Sequence, residues 1–247
     1  MKKIKVVLAM MGVVLLVAAP AAKADGWEFS LTPYLWANGL DGTVGLGAGD
    51  DGEIVVDFDT SFSDILDNLD MAVPIHFEAK APVWTLIAEV NYVSLSQELG
   101  NVGGEGEIDV LVAELLAGWQ WTETVEILFG SRYYSYDVGL TLDVPPPSFP
   151  DGTVDGDTYW VDPVVGIRYG GQLNRRGTWT SQFRADVGGF GLGSDLTWNV
   201  RVGLGYDFSE TVGLRFGYHW LDVDYNDNKF LFDVLQQGPE IGLSFMW

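Results

Sequence analysis

Five arginines, Arg132, Arg168, Arg184, Arg201 and Arg215, occupy the polar positions of five successive alternating segments in a chain that holds only 13 Lys and Arg. Glu78, Glu89, Glu114, Glu126 and Glu240 occupy the same parity on other segments. Counted from the short turns, Arg132, Arg184 and Arg201 fall at the height of Glu89, Glu114 and Glu240. Across a wide, water-filled lumen, facing walls of opposite charge create a transverse field that orients dipolar solutes. In a narrow lumen the same groups meet, pair bidentately and form a plug. Both outcomes stay open at this level, the pore being favoured by twelve strands and the plug by ten.

The two histidines, His76 and His219, share that inward parity, and Glu78 stands next but one to His76. A His–carboxylate pair is the raw material of a general base. It needs a nucleophile beside it, and the chain has neither a Gly-x-Ser-x-Gly elbow nor a His-Glu-x-x-His zinc motif. No catalytic residue, metal ligand or cofactor is therefore assigned, and the expectation is a non-enzyme, with a barrel lipid hydrolase or protease as the alternative. Asp222, Asp224, Asn226, Asn228 and Asp233 imitate the spacing of a calcium loop, but Asp227 stands where the sharp turn wants glycine. A hairpin tip is the simpler reading.

These side chains need strands to carry them. From Leu196 to Phe208 every second residue is large and apolar (Leu196, Trp198, Val200, Val202, Leu204, Tyr206, Phe208), with Thr197, Asn199, Arg201, Gly203, Gly205 and Asp207 between them. That is a strand with one apolar and one polar face. The pattern recurs over 27–37, 71–80, 84–96, 107–121, 124–142, 158–171, 178–187, 194–208, 211–225 and 229–247. The connections at 81–82, 122–123, 172–177 and 209–210 are short, while those at 38–70, 97–106 and 143–157 are long and rich in Gly, Asp and Pro. Short turns on one side and long loops on the other predict an all-β fold, a transmembrane antiparallel up-and-down barrel with its short turns in the periplasm. Ten segments close it. The stretch 39–69 adds two short alternating pieces and, at Ser61–Leu69, a helical spacing of Phe62, Ile65, Leu66 and Leu69 behind a capping serine. It is either an outer hairpin plus helix or an extra strand pair, so the expected count is ten to twelve, with a short helix in the first extracellular loop, in the mouth or on the rim.

Alternation alone does not say which face points outward, since a soluble barrel buries its apolar face. The aromatic residues decide. Trp27, Trp84, Trp121, Trp179, Phe208 and Trp247 sit beside the short turns and chain ends, and Tyr92, Tyr133, Trp160, Trp198 and Trp220 come roughly ten residues later. Ten residues at ~3.3 Å each, tilted by ~40°, rise about 25 Å, the height of the apolar band between two interfacial girdles. On this reading all eleven aromatics face lipid. Gly166, Gly203, Gly205, Gly213, Gly217 and Gly242 face inward, either widening the lumen or making room for arginine.

Composition bounds the setting. Lys2, Lys3 and Lys5, an apolar run over 6–18 and Ala22-Lys23-Ala24 form a secretory leader, so the expected division is a signal peptide at 1–24 and a barrel domain at 25–247. Loss of the four leader lysines takes the formal charge from −22 to −26, a surface that repels nucleic acid. The chain has no cysteine, which excludes disulfides and thiolate chemistry. Asp50, Asp51, Asp57, Asp59, Asp151, Asp155 and Asp157 suggest an acidic outer rim bridged by divalent ions to lipopolysaccharide, whether as anchor or as binding surface. Ile241, Leu243, Phe245 and Trp247 form an aromatic-ended last strand suited to the barrel-assembly machinery. The expected location is the outer membrane.

Pro33-Tyr34-Leu35-Trp36 with Gly39-Leu40-Asp41-Gly42-Thr43-Val44, the run Ser61-Phe62-Ser63-Asp64-Ile65-Leu66, Trp160-Val161-Asp162-Pro163-Val164-Val165-Gly166, the turn from Asp186 to Asp195 (DVGGFGLGSD) and Leu221-Asp222-Val223-Asp224-Tyr225 are spread along the mature chain and carry a resemblance that covers nearly all of it. Together they resemble a family of uncharacterised proteobacterial outer-membrane β-barrel proteins. The resemblance implies the barrel fold and no particular activity. Two positions depart from it: His219 stands where such proteins usually carry Arg, and Trp247 where they end in Phe.

Overall fold

The computed structural model describes residues 26–46, 54–98, 104–143, 153–227 and 230–247. The predicted leader and Asp50, Asp51, Asp151 and Asn228 lie outside them. Twelve strands follow in chain order: β1 Glu28–Trp36, β2 Gly39–Leu46, β3 Ile54–Thr60, β4 Leu69–Lys80, β5 Trp84–Glu98, β6 Gly104–Gln120, β7 Val125–Leu142, β8 Thr153–Gln172, β9 Trp179–Gly189, β10 Leu196–Asp207, β11 Val212–Asn226 and β12 Phe230–Met246, with one helix, α1, at Phe62–Asp67.

Ten of these strands make the barrel. β4 to β12 pair antiparallel in sequence order, β1 pairs β4, and β1 also pairs β12 from Ser30↔Met246 to Trp36↔Glu240. Closure matters because it leaves no lower edge unpaired in a medium without water. The main chain seals the last rung with reciprocal bonds between Phe29 and Trp247, Phe29 N donating at 3.0 Å and Trp247 N at 3.1 Å. β2 and β3 stand outside the ring, β2 pairing the upper half of β12 and β3 pairing β2 alone. The insert is thus an outer hairpin plus helix. Helix α1 is held at its N-terminus by Ser61, whose Oγ accepts from Asp64 N while Ser61 N and Oγ donate to the Asp64 carboxylate. These donors hold the Asp64 carboxyl below its usual pKa. α1 packs near β2 and is not part of the aromatic cluster that fills the mouth.

The short turns are built from short polar side chains. Thr122 Oγ1 accepts from Val125 N at 3.1 Å, and Ser209 Oγ accepts from Val212 N at 3.1 Å, so each hydroxyl replaces a ladder bond where the chain reverses. Strand length is uneven above. β6, β7 and β8 have 17, 18 and 20 residues, whereas β9 and β10 have 11 and 12, so the rim dips at their connection. Among the described residues no helix is long and apolar enough to cross a membrane; the strands do the crossing.

Candidate functional site

The two charged walls meet inside the barrel. Arg132, Arg168, Arg184, Arg201, Arg215, Glu78, Glu89, Glu114, Glu126, Glu240, His76 and His219 all share the inward parity, which the continuous ladders carry from strand to strand. At mid-height Arg132 on β7 donates through Nε and Nη2 to Glu114 Oε2 at 2.9 and 2.7 Å, and through Nη2 to Asp186 Oδ1 at 2.6 Å. From β9, Arg184 donates to Asp186 Oδ2 through Nε at 2.8 Å and to Glu114 Oε2 through Nη2 at 2.7 Å. Two guanidinium groups and two carboxylates thus form a neutral, buried square, with Arg132 only 1 % exposed. Charges removed from water persist only when paired this fully.

A second chain of contacts crosses the lumen just beside the square. Arg168 bonds Glu126 and Glu78, each at 2.6 Å; Glu78 lies 2.8 Å from His76 Nε2, and His76 Nδ1 lies 2.9 Å from Glu89. Arg201 on β10 grips both oxygens of Glu89, and Tyr34 OH donates to the same carboxylate at 2.7 Å. Both His76 nitrogens are therefore held by carboxylates. Lower down, Arg215 reaches Asp207 at 2.7 Å in a half-exposed pair. Gly213 makes room for it, since a Cβ there would lie 2.3 Å from Asp207 Oδ1 and 2.5 Å from Arg215 Nη1.

Above the square the filling is aromatic. Trp160 stacks on Tyr225 at 3.8 Å between centroids with planes 7° apart, and on Tyr134 and Tyr136 at 4.9 and 5.4 Å; Tyr136 meets Phe232 at 4.4 Å. Trp36, Leu221, Val223, Phe230 and Val234 complete this core. Trp160 is a correction to the aromatic girdle. It shares the parity of Arg168 on an unbroken β7–β8 ladder, so it points inward, and Tyr159, 69 % exposed, takes the outward place. Its Nε1 donates to Ser194 Oγ at 2.8 Å, and Ser194 N donates to Asp162 at 2.7 Å. The β9–β10 turn thereby docks onto β8, and Gly193 sits so close that a Cβ would come within 2.4 Å of Asp162 Oδ1. His219 lies between the two fillings, stacked on Trp36 at 4.0 Å with its Nδ1 3.7 Å from Glu240.

Beneath the square the lumen opens. A cavity of about 770 Å³ at the short-turn end is lined by Ser30, His76, Glu78, Arg184, Arg201 and Glu240 among others. Among the described residues no group of three or more His, Asp or Glu is arranged to hold a metal ion. Asp222, Asp224 and Asn226 alternate along β11 rather than wrapping a calcium loop.

The outer surface is apolar. Leu115, Ile167, Val202 and Ile241 in mid-wall are 54, 47, 39 and 51 % exposed, and Trp27, Trp84, Trp121, Trp179, Phe208 and Trp247 ring the short-turn end with outward, exposed side chains. Trp119, which the sequence reading passed over, joins that ring. Tyr133, Trp198 and Trp220 face outward at the other end. Tyr92 does so too, but its hydroxyl donates to Asp109 at 2.9 Å and the side chain is buried. An apolar belt of this extent around a closed barrel is stable only in lipid. The chain is an outer-membrane β-barrel.

No family model and no curated protein matches this sequence. Among solved structures it is similar to the translocator domain of the autotransporter NalP from Neisseria meningitidis, at 10 % identity, 99 % of this chain, 97 % of that one and TM-score 0.49. It is also similar to the outer membrane protease OmpT from Escherichia coli, at 10 % identity, 91 and 98 % coverage and TM-score 0.46. The third is the attachment invasion locus protein Ail of Yersinia pestis, at 9 % identity, 90 and 99 % coverage and TM-score 0.38. At these values the likeness is one of fold alone.

Asp186 and Asp162 were not anticipated. Asp186 follows Arg184 by two residues, so its inward parity was readable; its role as the second carboxylate of the square depends on β7 standing one strand away from β9, with β8 between them.

Proposed function

We propose that this protein is an outer-membrane barrel that is shut as built, a structural barrel whose periplasmic half offers a polar vestibule to small solutes. The observation that carries the reading is the square of Arg132, Glu114, Arg184 and Asp186, which ties β6 and β7 to β9 inside the lumen, backed by the Arg201–Glu89 contact that joins β10 to β5 across it. With the aromatic core above it, a solute entering the vestibule meets paired charge and then packed rings. In planar bilayers the refolded wild-type barrel is expected to give no conductance steps. Stable steps that change when Arg132, Arg184 and Arg201 are made neutral would overturn this reading.

A second reading is a porin-like passage, favoured by the vestibule itself, which brings solvent to Arg184 and Arg201 from one side. It requires the square and the aromatic core to part, and the same bilayer recording separates the two. The apolar outer face of β12 at Ile241, Leu243 and Phe245 suits delivery by the barrel-assembly machinery, and the acidic extracellular stretches suit divalent bridges to lipopolysaccharide.

A further inference from the structure

The carboxylates inside the barrel differ in the partners they are given. Glu114 and Asp186 share Arg132 and Arg184, Glu126 and Glu78 share Arg168, and Asp207 has Arg215. Glu89 takes both Nη atoms of Arg201, and Asp162 accepts the Ser194 N–H. Glu240 alone of this set has no such donor. Arg201 Nε is 3.9 Å away and His219 Nδ1 3.7 Å, too far for hydrogen bonds, and Glu240 Oε2 is buried without one. The charge of Arg201 is already matched by Glu89. His219 is itself buried against Trp36, with neither ring nitrogen hydrogen-bonded.

Beside Glu240 the wall is bare backbone. Its partner across the ladder is Gly217, whose partner on β10 is Gly203, and Gly203 in turn pairs Gln182 on β9. The row therefore runs carboxylate, glycine, glycine, amide over three strand spacings, about 14 Å at the backbone. Gly205 and Gly213, one position lower, give their space to the Arg215 side chain. At Gly203 an added Cβ would meet main-chain atoms only, the nearest being Phe216 O at 3.2 Å. Glu240, Gly203 and Gln182 line the cavity of about 770 Å³ together with the hydroxyls of Ser30, Thr180 and Ser181. The Glu240 side chain is 20 % exposed to it.

We propose that Glu240 anchors a binding site for a small organic ammonium compound whose other polar groups are hydroxyls, an amino sugar or amino alcohol. The proposal rests on the vestibule reading above and names what the vestibule takes. The ammonium donates to the Glu240 carboxylate, the carbon skeleton lies on the bare wall at Gly203, and the hydroxyls reach Gln182 and the serine and threonine side chains. A carboxylate half withdrawn from water is stable only when its charge is matched, and here the chain supplies no match. An anionic solute would be repelled by it, and a neutral one would leave it as it is. Among the described residues no group of three or more His, Asp or Glu is arranged to hold a metal ion, which favours an organic cation.

The test is isothermal titration calorimetry of the full barrel in nanodiscs with D-glucosamine, D-glucose serving as its neutral counterpart. Ionic strength is fixed, and a slightly acidic pH keeps the amine protonated. The wild type should bind glucosamine saturably and about tenfold or more tighter than glucose. Glu240→Gln should lose about tenfold in glucosamine affinity, whereas Glu28→Gln, at the exposed edge of the same cavity, should stay within about twofold. Heat-modifiable migration checks that each variant is folded. No saturable glucosamine binding, equal binding of the two sugars, or equal losses in the two variants would overturn the proposal. Planar-bilayer recording of the same wild-type preparation tests the underlying reading separately. Glucosamine binding by a barrel with stable conductance steps would overturn the shut barrel and leave the site standing, while a silent barrel that binds neither sugar would remove the site alone.

Discussion

Below Arg184 the lumen holds a cavity edged by hydroxyls, amides and charges, whereas above it Trp160, Tyr134, Tyr136, Tyr225 and Phe232 stack into a core like that of a soluble protein. The same ten-strand ring surrounds both. What differs is the residue type at inward positions, and the Arg132–Glu114–Arg184–Asp186 square lies at the boundary. Its four side chains sit in low-dielectric surroundings, where a broken pair leaves an uncompensated charge. The Arg215–Asp207 pair nearer the open end has similar chemistry but is 31 and 24 % exposed, so water replaces whatever is lost there. Position along the barrel axis, more than pair chemistry, sets what each interaction contributes.

Mutations should reproduce that gradient. Glu114→Gln removes the charge shared by Arg132 and Arg184 and should destabilise the barrel by about 3–5 kcal/mol in urea titrations from lipid vesicles. Leu115→Arg, one residue away but facing hydrocarbon, should cost about 2–4 kcal/mol by the same assay. Trp160→Phe keeps a ring in the upper core but loses the bond to Ser194 Oγ, and about 1–3 kcal/mol should go with it. Arg215→Gln should change stability by less than about 1 kcal/mol, as exposed pairs do. If Arg215→Gln proved as costly as Glu114→Gln, the lower half would be as closed as the middle and the comparison would fail.

Much of this architecture is written locally. Alternation from Leu196 to Phe208 fixes the faces of β10, and the short turn at Ser209 fixes its direction relative to β11. The inward parity of the arginines and glutamates follows from the same period of two. Contacts across the lumen were not legible, because they depend on barrel circumference, which no single strand encodes. Trp160 shows the hazard of reading residue type over parity: an aromatic near the right height was placed in the girdle although Arg168 on its own strand pointed the other way. The pairing of Trp160-Val161-Asp162 with Gly193-Ser194 joins two segments about thirty residues apart, visible only once β9 and β10 are seen to be short.

The contrast between halves is tested most directly by thiol labelling, since the native chain has no cysteine to interfere. Ser30 lines the cavity, while Thr197 is fully buried in the upper half beside Tyr134. In the folded barrel, a water-soluble maleimide should modify Ser30→Cys rapidly and leave Thr197→Cys unmodified until the protein is unfolded. Comparable labelling rates at the two positions would mean that water runs the length of the lumen, contradicting a barrel closed at the level of Arg132 and Arg184.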